Sequence, residues 1–173
     1  METQPLPATA TSAMMAGTAL LATTMQFLTF TIGKEEYGVD IMMVREVKGW
    51  AETTRLPNTP EYIRGVLNLR GIIIPIFDLR ARFGGGLTNA NEKNVVIILA
   101  VGNRTIGILV DAVSDILTVG TNDIKASPDA DTSAIDDRFV SGLIAVEGRM
   151  VVLLDIDVLL HNDISHVDSA ADA

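Results

Sequence analysis

Apolar residues in this chain come in short runs, each ended by glycine or charge. Residues 27–32 and 95–101 are rich in β-branched and aromatic side chains and close on Gly33 and Gly102. That pattern predicts strands ending in hairpin turns, since glycine accepts positive φ at no steric cost. Residues 66–69 and 72–77 meet at Arg70 and Gly71, and residues 143–146 and 150–154 at Glu147 and Gly148, which predicts two more tight hairpins. Pro75 has no N–H for a ladder, so its strand is expected at an edge or with a bulge there. Asp78 and Asp155 each precede a stretch that reads as one short helical turn capped by the aspartate.

The pattern occurs twice. With a shift of 69, residues 27–44 lie over 96–113, so Gly33 falls on Gly102, Gly38 on Gly107 and Val44 on Val113. With a shift of 77, Gly65 and Gly71 fall on Gly142 and Gly148, and Asp78 on Asp155. A longer loop through residues 125–137 absorbs the difference. Two matched blocks in the same order predict an internally duplicated fold. About five strands per copy suit a small closed barrel, which also removes the exposed edges that such apolar strands would otherwise present. The expected fold class is therefore all-β with short helices, built as two pseudo-equivalent barrels packed together. The break between them is expected near residues 84–94, where Gly84, Gly85 and Gly86 read as a flexible linker. Residues 1–25 and 163–173 read as flexible tails, leaving an ordered domain over 26–162.

Composition narrows the chemistry. Hydrophobic residues make up 48% of the 173 residues and charged residues 20%, which is globular. With no cysteine, disulfides, thiolate catalysis and cysteine-ligated metals are excluded. A net charge of -9 disfavours nucleic-acid backbones and anionic membrane surfaces. No secretory signal or membrane-spanning run is seen, so a cytoplasmic location is expected. The charge is uneven: residues 27–89 hold eight basic and seven acidic side chains, residues 90–164 five and twelve. Different electrostatic faces on similar folds suggest different partners, or one partner held in fixed register.

No motif carries a reaction. His161 and His166 lie near the end of the chain, and there is no Gly-x-Ser-x-Gly elbow or phosphate loop. Asp129 and Asp131 open a stretch like a calcium loop, but Ala134 and Val140 stand where a glycine and a bidentate glutamate are needed. Asp136 and Asp137 are adjacent, which is poor geometry for paired acid–base work. The expectation is an interaction protein with no enzyme activity, cofactor or metal. Arg70, at a hairpin tip, is placed to hold a carboxylate. Val44 and Val113 occupy matched places that would line the seam between copies, and Gly65 would permit either a bulge or a partner's close approach.

Residues 63–83, from Ile63 through Asn68, Leu69, Arg70 and Gly71 to Phe83, resemble the signature of the CheW family, the coupling proteins of bacterial chemotaxis. Residues 39–47, 107–117 and 139–160 agree with it, so the resemblance covers roughly 25–161 in order. It implies two five-stranded SH3-like barrels and an adaptor joining the cytoplasmic tips of transmembrane chemoreceptors to the regulatory domain of the histidine kinase CheA, within membrane-associated receptor arrays but without membrane insertion. Receptor contacts would fall at Val44, Glu46, Gly65, Arg70, Val110 and Val113, with a Glu46–Arg70 ion pair ordering that face. Kinase contacts would fall at Ile72, Ile74, Ile76 and Leu153. The related alternatives are a coupling protein of a chemotaxis-like pathway for surface motility or biofilm signalling, and a detached regulatory domain of the kinase. From another class, small barrels of this kind also bind nucleic acid, which the charge disfavours.

Overall fold

The computed structural model describes residues 23–126 and 137–171. Ten strands are arranged in two five-stranded sheets: β1 (Thr24–Ile32), β2 (Glu35–Asp40), β3 (Val44–Gly49), β4 (Ile63–Leu69), β5 (Ile72–Asp78), β6 (Val95–Val101), β7 (Arg104–Val110), β8 (Ala112–Gly120), β9 (Val140–Val146) and β10 (Arg149–Leu154). One sheet has the order β8-β1-β2-β10-β9 and the other β3-β6-β7-β5-β4. Isolated bridges close both. Lys125, just past β8, exchanges two backbone hydrogen bonds of 2.8 Å with Leu143 of β9, and Thr54, just past β3, pairs in the same way with Val66 of β4.

The barrels are not the two halves of the sequence. The hairpin β1–β2 of the first copy completes a barrel with β8, β9 and β10 of the second copy. The hairpin β6–β7 of the second copy completes a barrel with β3, β4 and β5 of the first. The second barrel is thus one continuous segment, residues 44–110, inserted into the first. This corrects the break expected near 84–94. Those residues form a loop inside the second barrel, fastened by fully buried Asp78, which accepts from the Thr88 amide and hydroxyl at 2.7 Å each. Buried Asn94 adds a bond to the Val110 carbonyl.

The duplication nevertheless holds in detail. Ladder irregularities occur at Arg45 in β3 and Ser114 in β8, one residue opposite none, and again at Arg64 in β4 and Ser141 in β9. These pairs stand at the same offsets of 69 and 77 that the sequence shows. Pro75 proves to be in an internal strand without a bulge of its own. It lies opposite Val66, whose N–H and C=O both turn to Thr54, and β5 joins β7 only from Ile76 onward, so no partner needs a proline N–H.

Among the described residues there are three cores. Ile74, Ile76, Val96, Ile98 and Leu109 fill the second barrel, and Phe27, Ile144, Val151 and Leu153 fill the first. Between them lies the largest cluster, where Phe30 and Val39 from one sheet meet Phe77, Ile97 and Ile108 from the other. Successive strand residues point to opposite faces, so β6 sends Val96 and Ile98 inward and Ile97 and Leu99 to the seam. Burial on both faces explains why these strands read as unbroken apolar runs.

The two capped turns differ in length. Helix α1 (Leu79–Arg82) is a single turn whose Ala81 amide donates to Asp78. Helix α2 (Ile156–Ala171) runs for 16 residues, where one turn and then a tail from 163 were expected. Ile156, Leu159, Leu160 and Val167 lie on one apolar face at helical spacing and join the central core. Composition rich in Asp, Ser and Ala concealed that periodicity. Residues 1–22, 127–136 and 172–173, including the N-terminal tail and the calcium-like stretch at Asp129 and Asp131, lie outside the described residues.

Candidate interaction surface

The β4–β5 hairpin places the most distinctive surface groups. Its two-residue turn needs left-handed backbone at both positions, and Arg70 (φ 52) and Gly71 (φ 85) supply it, as Glu147 (φ 49) and Gly148 (φ 80) do in the matched hairpin. The Asn68 side chain braces the turn by accepting from the Gly71 amide at 3.0 Å. From there Arg70 Nη2 donates to Glu46 Oε2 on β3 at 2.6 Å. The arginine side chain remains 73% exposed and the glutamate 32%, so the pair orders a surface rather than a core.

Next to this pair, Ile72 and Ile73 are 57% and 59% exposed. Ile72 continues the row of Ile74 and Ile76 beyond the barrel mouth, while Ile73 lies on the opposite face. Exposed isoleucines at a hairpin end cost solvation in the free chain and suit a surface that a partner covers. Ile73 was not singled out by the sequence, nor was Val47 on β3. The repeat offsets pair Ile73 with Met150 and Val47 with Ile116, and all four are exposed large apolar side chains. Comparing the copies position by position could have found them.

Several expected contact residues lie in the interior. Ile74, Ile76 and Leu153 are 1%, 0% and 2% exposed and belong to the barrel cores, so they hold the barrels together and offer no face to a kinase. Val110 is buried in the central core. Gly65 (φ +131) is buried at the β4 bulge, where a side chain would collide with the Thr54 carbonyl; it serves the closure of its own barrel. Val44 and Val113 are half-buried against the central core, flanking the seam at matched places. Arg70 and Ile72, assigned to different partners, share one hairpin end.

The barrels are also tied by charge. Asp163 of α2 is buried; it accepts from Arg82 Nε at 3.1 Å and from the Tyr62 hydroxyl, both in the second barrel. Arg82 also lies over the Tyr62 and Phe139 rings. Burial, with help from Asp163, raises the Tyr62 hydroxyl to about 12. Burial likewise raises Tyr37 to about 12, with Glu35 adding to the effect. At the other end of the seam, Asp111 accepts from Arg80 Nη2 at 2.6 Å and from the Gly33 amide at 2.7 Å. An open groove of about 400 Å³ between α2 and Phe139 brings His161 near Arg138 and Asp157. Among the described residues no cluster of His, Asp and Glu could hold a metal ion, and no helix is long and apolar enough to cross a membrane.

Known proteins share this architecture. The family model described as CheW-like domain matches residues 26–163. The chemotaxis protein CheW of Klebsiella aerogenes is 45% identical over 148 residues, covering 84% of this chain and 88% of that one. The chemotaxis protein CheW of Rhizobium meliloti is 43% identical over 132 residues, covering 76% and 84%. The crystal structure of the scaffolding protein TtCheW from Thermoanaerobacter tengcongensis aligns with a TM-score of 0.72 at 34% identity, over 79% of this chain and 87% of that one.

Proposed function

This chain belongs to the CheW-like domain family, and from that membership we propose that it is a non-enzymatic adaptor coupling the cytoplasmic tips of chemoreceptors to the histidine kinase CheA. The observation that carries the reading is the β4–β5 hairpin end, where an ordered ion pair stands beside two exposed isoleucines on a rigid barrel. Such a surface offers an apolar contact framed by directional charge, and nothing in it performs chemistry. Receptor contacts are assigned to Val44, Glu46, Arg70 and Val113, and kinase contacts to Ile72 with Ile73. The two surfaces adjoin at the turn, so the partners would meet across it.

The mechanism is scaffolding at the inner face of the membrane. Holding kinase and receptor on one rigid body makes their encounter effectively intramolecular. Signal passes when receptor occupancy changes the relative affinities or geometry of the three components. A calorimetric or sedimentation titration against the isolated regulatory domain of the kinase tests this. Micromolar or tighter one-to-one binding is expected; no binding between two folded proteins overturns the reading.

A further inference from the structure

The barrels differ at the end away from the Arg70 and Glu147 turns. In the second barrel, residues 84–94 lead into β6 and run across that end. Asp78 lies fully buried beneath them and accepts from the Thr88 amide and hydroxyl. Arg64 Nη1 donates to the Thr88 carbonyl at 2.8 Å, and Ala90 packs against the barrel core. The same end of the first barrel has a cavity of about 300 Å³. Its lining residues Phe27, Leu153 and Ile156 belong to the cores, and Met25 stands 36% exposed at its edge. At the repeat offsets these core residues are the counterparts of covered ones: Phe27 of Val96, Leu153 of Ile76 and Ile156 of Leu79. Asp155, also in the lining, is the counterpart of Asp78 but is only half-buried.

The duplication says what belongs there. The covering segment of the second barrel precedes β6, and β6 is the counterpart of β1 at the offset of 69. That offset lays residues 15–22 on 84–91, so Leu21 takes the place of Ala90 and Thr18 stands one place before the counterpart of Thr88. The chain also enters the fold at the edge of the cavity, where the Thr23 carbonyl accepts from the Thr121 amide two residues before Met25. Residues 13–22 carry no charged side chain and include Met14, Met15, Leu20 and Leu21, which suits an apolar cavity. Residues 127–136, close after Ile124 in the chain, carry Asp129, Asp131 and Asp136, which Asp40 and Asp155 in the lining would repel. We propose that residues 15–22 cover the open end of the first barrel as residues 84–91 cover the second, with Leu21 in the cavity and Asp155 accepting from the segment. Attachment at Thr23 keeps the local concentration of so short a segment high, so modest apolar contact suffices.

The chain has no cysteine, so Ala13→Cys in the full chain gives a spin label a single point of attachment. The amide signals of Met25, Ile124 and Asp155 are expected to broaden, while those of Arg70 and Ile72 keep their intensity. In the full chain with Leu21→Asp, amide exchange at Asp155 should quicken about tenfold or more, because water reaches a place that the segment had covered. Leu6→Asp, outside the segment, should leave that exchange unchanged. Undiminished signals throughout, or exchange that Leu21→Asp does not alter, overturns the proposal. Broadening centred on Val44 and Val113 would seat the segment at the seam and overturn it as well. Broadening of unlabelled copies mixed with labelled ones would give the cavity to the segment of a second copy, which also overturns it.

Discussion

Arg70 reaches Glu46, 24 residues away in sequence, from a backbone held in the left-handed region at φ 52. A non-glycine residue there costs about 1–2 kcal/mol, more than an exposed ion pair of about 0.2–1 kcal/mol returns. The turn therefore favours glycine for stability, and its arginine is a candidate for the proposed receptor contact. Arg70→Gly is expected to leave the melting temperature unchanged or higher while weakening receptor coupling, and Arg70→Glu to weaken coupling with the fold intact. A collapsed melting transition in Arg70→Glu would contradict both statements. A double-mutant cycle on Glu46 and Arg70 should give a coupling within the range above.

Gly65 tests how the second barrel closes. A Cβ at this position meets the Thr54 carbonyl, which is backbone and cannot step aside, at a φ of +131 that side chains rarely adopt. Gly65→Ala is expected to cost about 3 kcal/mol or more. Gly107→Ala should cost less, because the nearest atom is the flexible end of Ile76. Denaturant unfolding of the two variants checks the order. Loss of partner binding by Gly65→Ala without loss of stability would place Gly65 on a contact surface after all.

Ile72 and Ile76 separate surface from core on one strand. Ile76→Ala empties a fully buried site and should cost about 2–5 kcal/mol. Ile72→Ala, at a position 57% exposed, should leave stability nearly unchanged while weakening kinase binding. Equal stability losses in the two would refute the assignment of Ile72 to the surface.

Asp163 anchors α2 to the second barrel. Asp163→Ala strands Arg82 and Tyr62 at a half-buried site, with an expected cost of about 3 kcal/mol. Amide exchange should accelerate along α2 well before it does in β6 and β7. Uniform acceleration across all three would show that the helix is not a separable clamp.

The chain has two tyrosines, Tyr37 and Tyr62, and burial raises both to about 12. The folded state therefore keeps its phenolic protons where the unfolded chain loses them. The stability contributed is complete below about pH 10 and is lost as pH climbs toward about 12. Phenolate absorbance of the native protein should develop near pH 12, and Tyr62→Phe should flatten the fall of melting temperature across that window. Titration of either tyrosine near pH 10 in the folded protein would refute this.

Strand positions, hairpin turns and the duplication are local properties, and the sequence by itself determined them. Alternation and turn residues specify a hairpin within a few neighbours, and offsets of 69 and 77 recur in the turns, the bulges and the exposed pairs Val47–Ile116 and Ile73–Met150. The C-terminal helix left a signal in the spacing of Ile156, Leu159, Leu160 and Val167, but its Asp-, Ser- and Ala-rich composition reads as a tail and concealed it. Which hairpin completes which barrel could only be decided in three dimensions. The copies present equivalent strands, so β1–β2 meets matching ladder partners in β8 and β10 or in β3 and β5, and local pattern does not distinguish them. The central core does, by packing Phe30 and Val39 against Phe77, Ile97 and Ile108 across the seam. That exchange also settled the burial of Val110, Ile74, Ile76 and Leu153, since it depends on contacts between residues far apart in the chain.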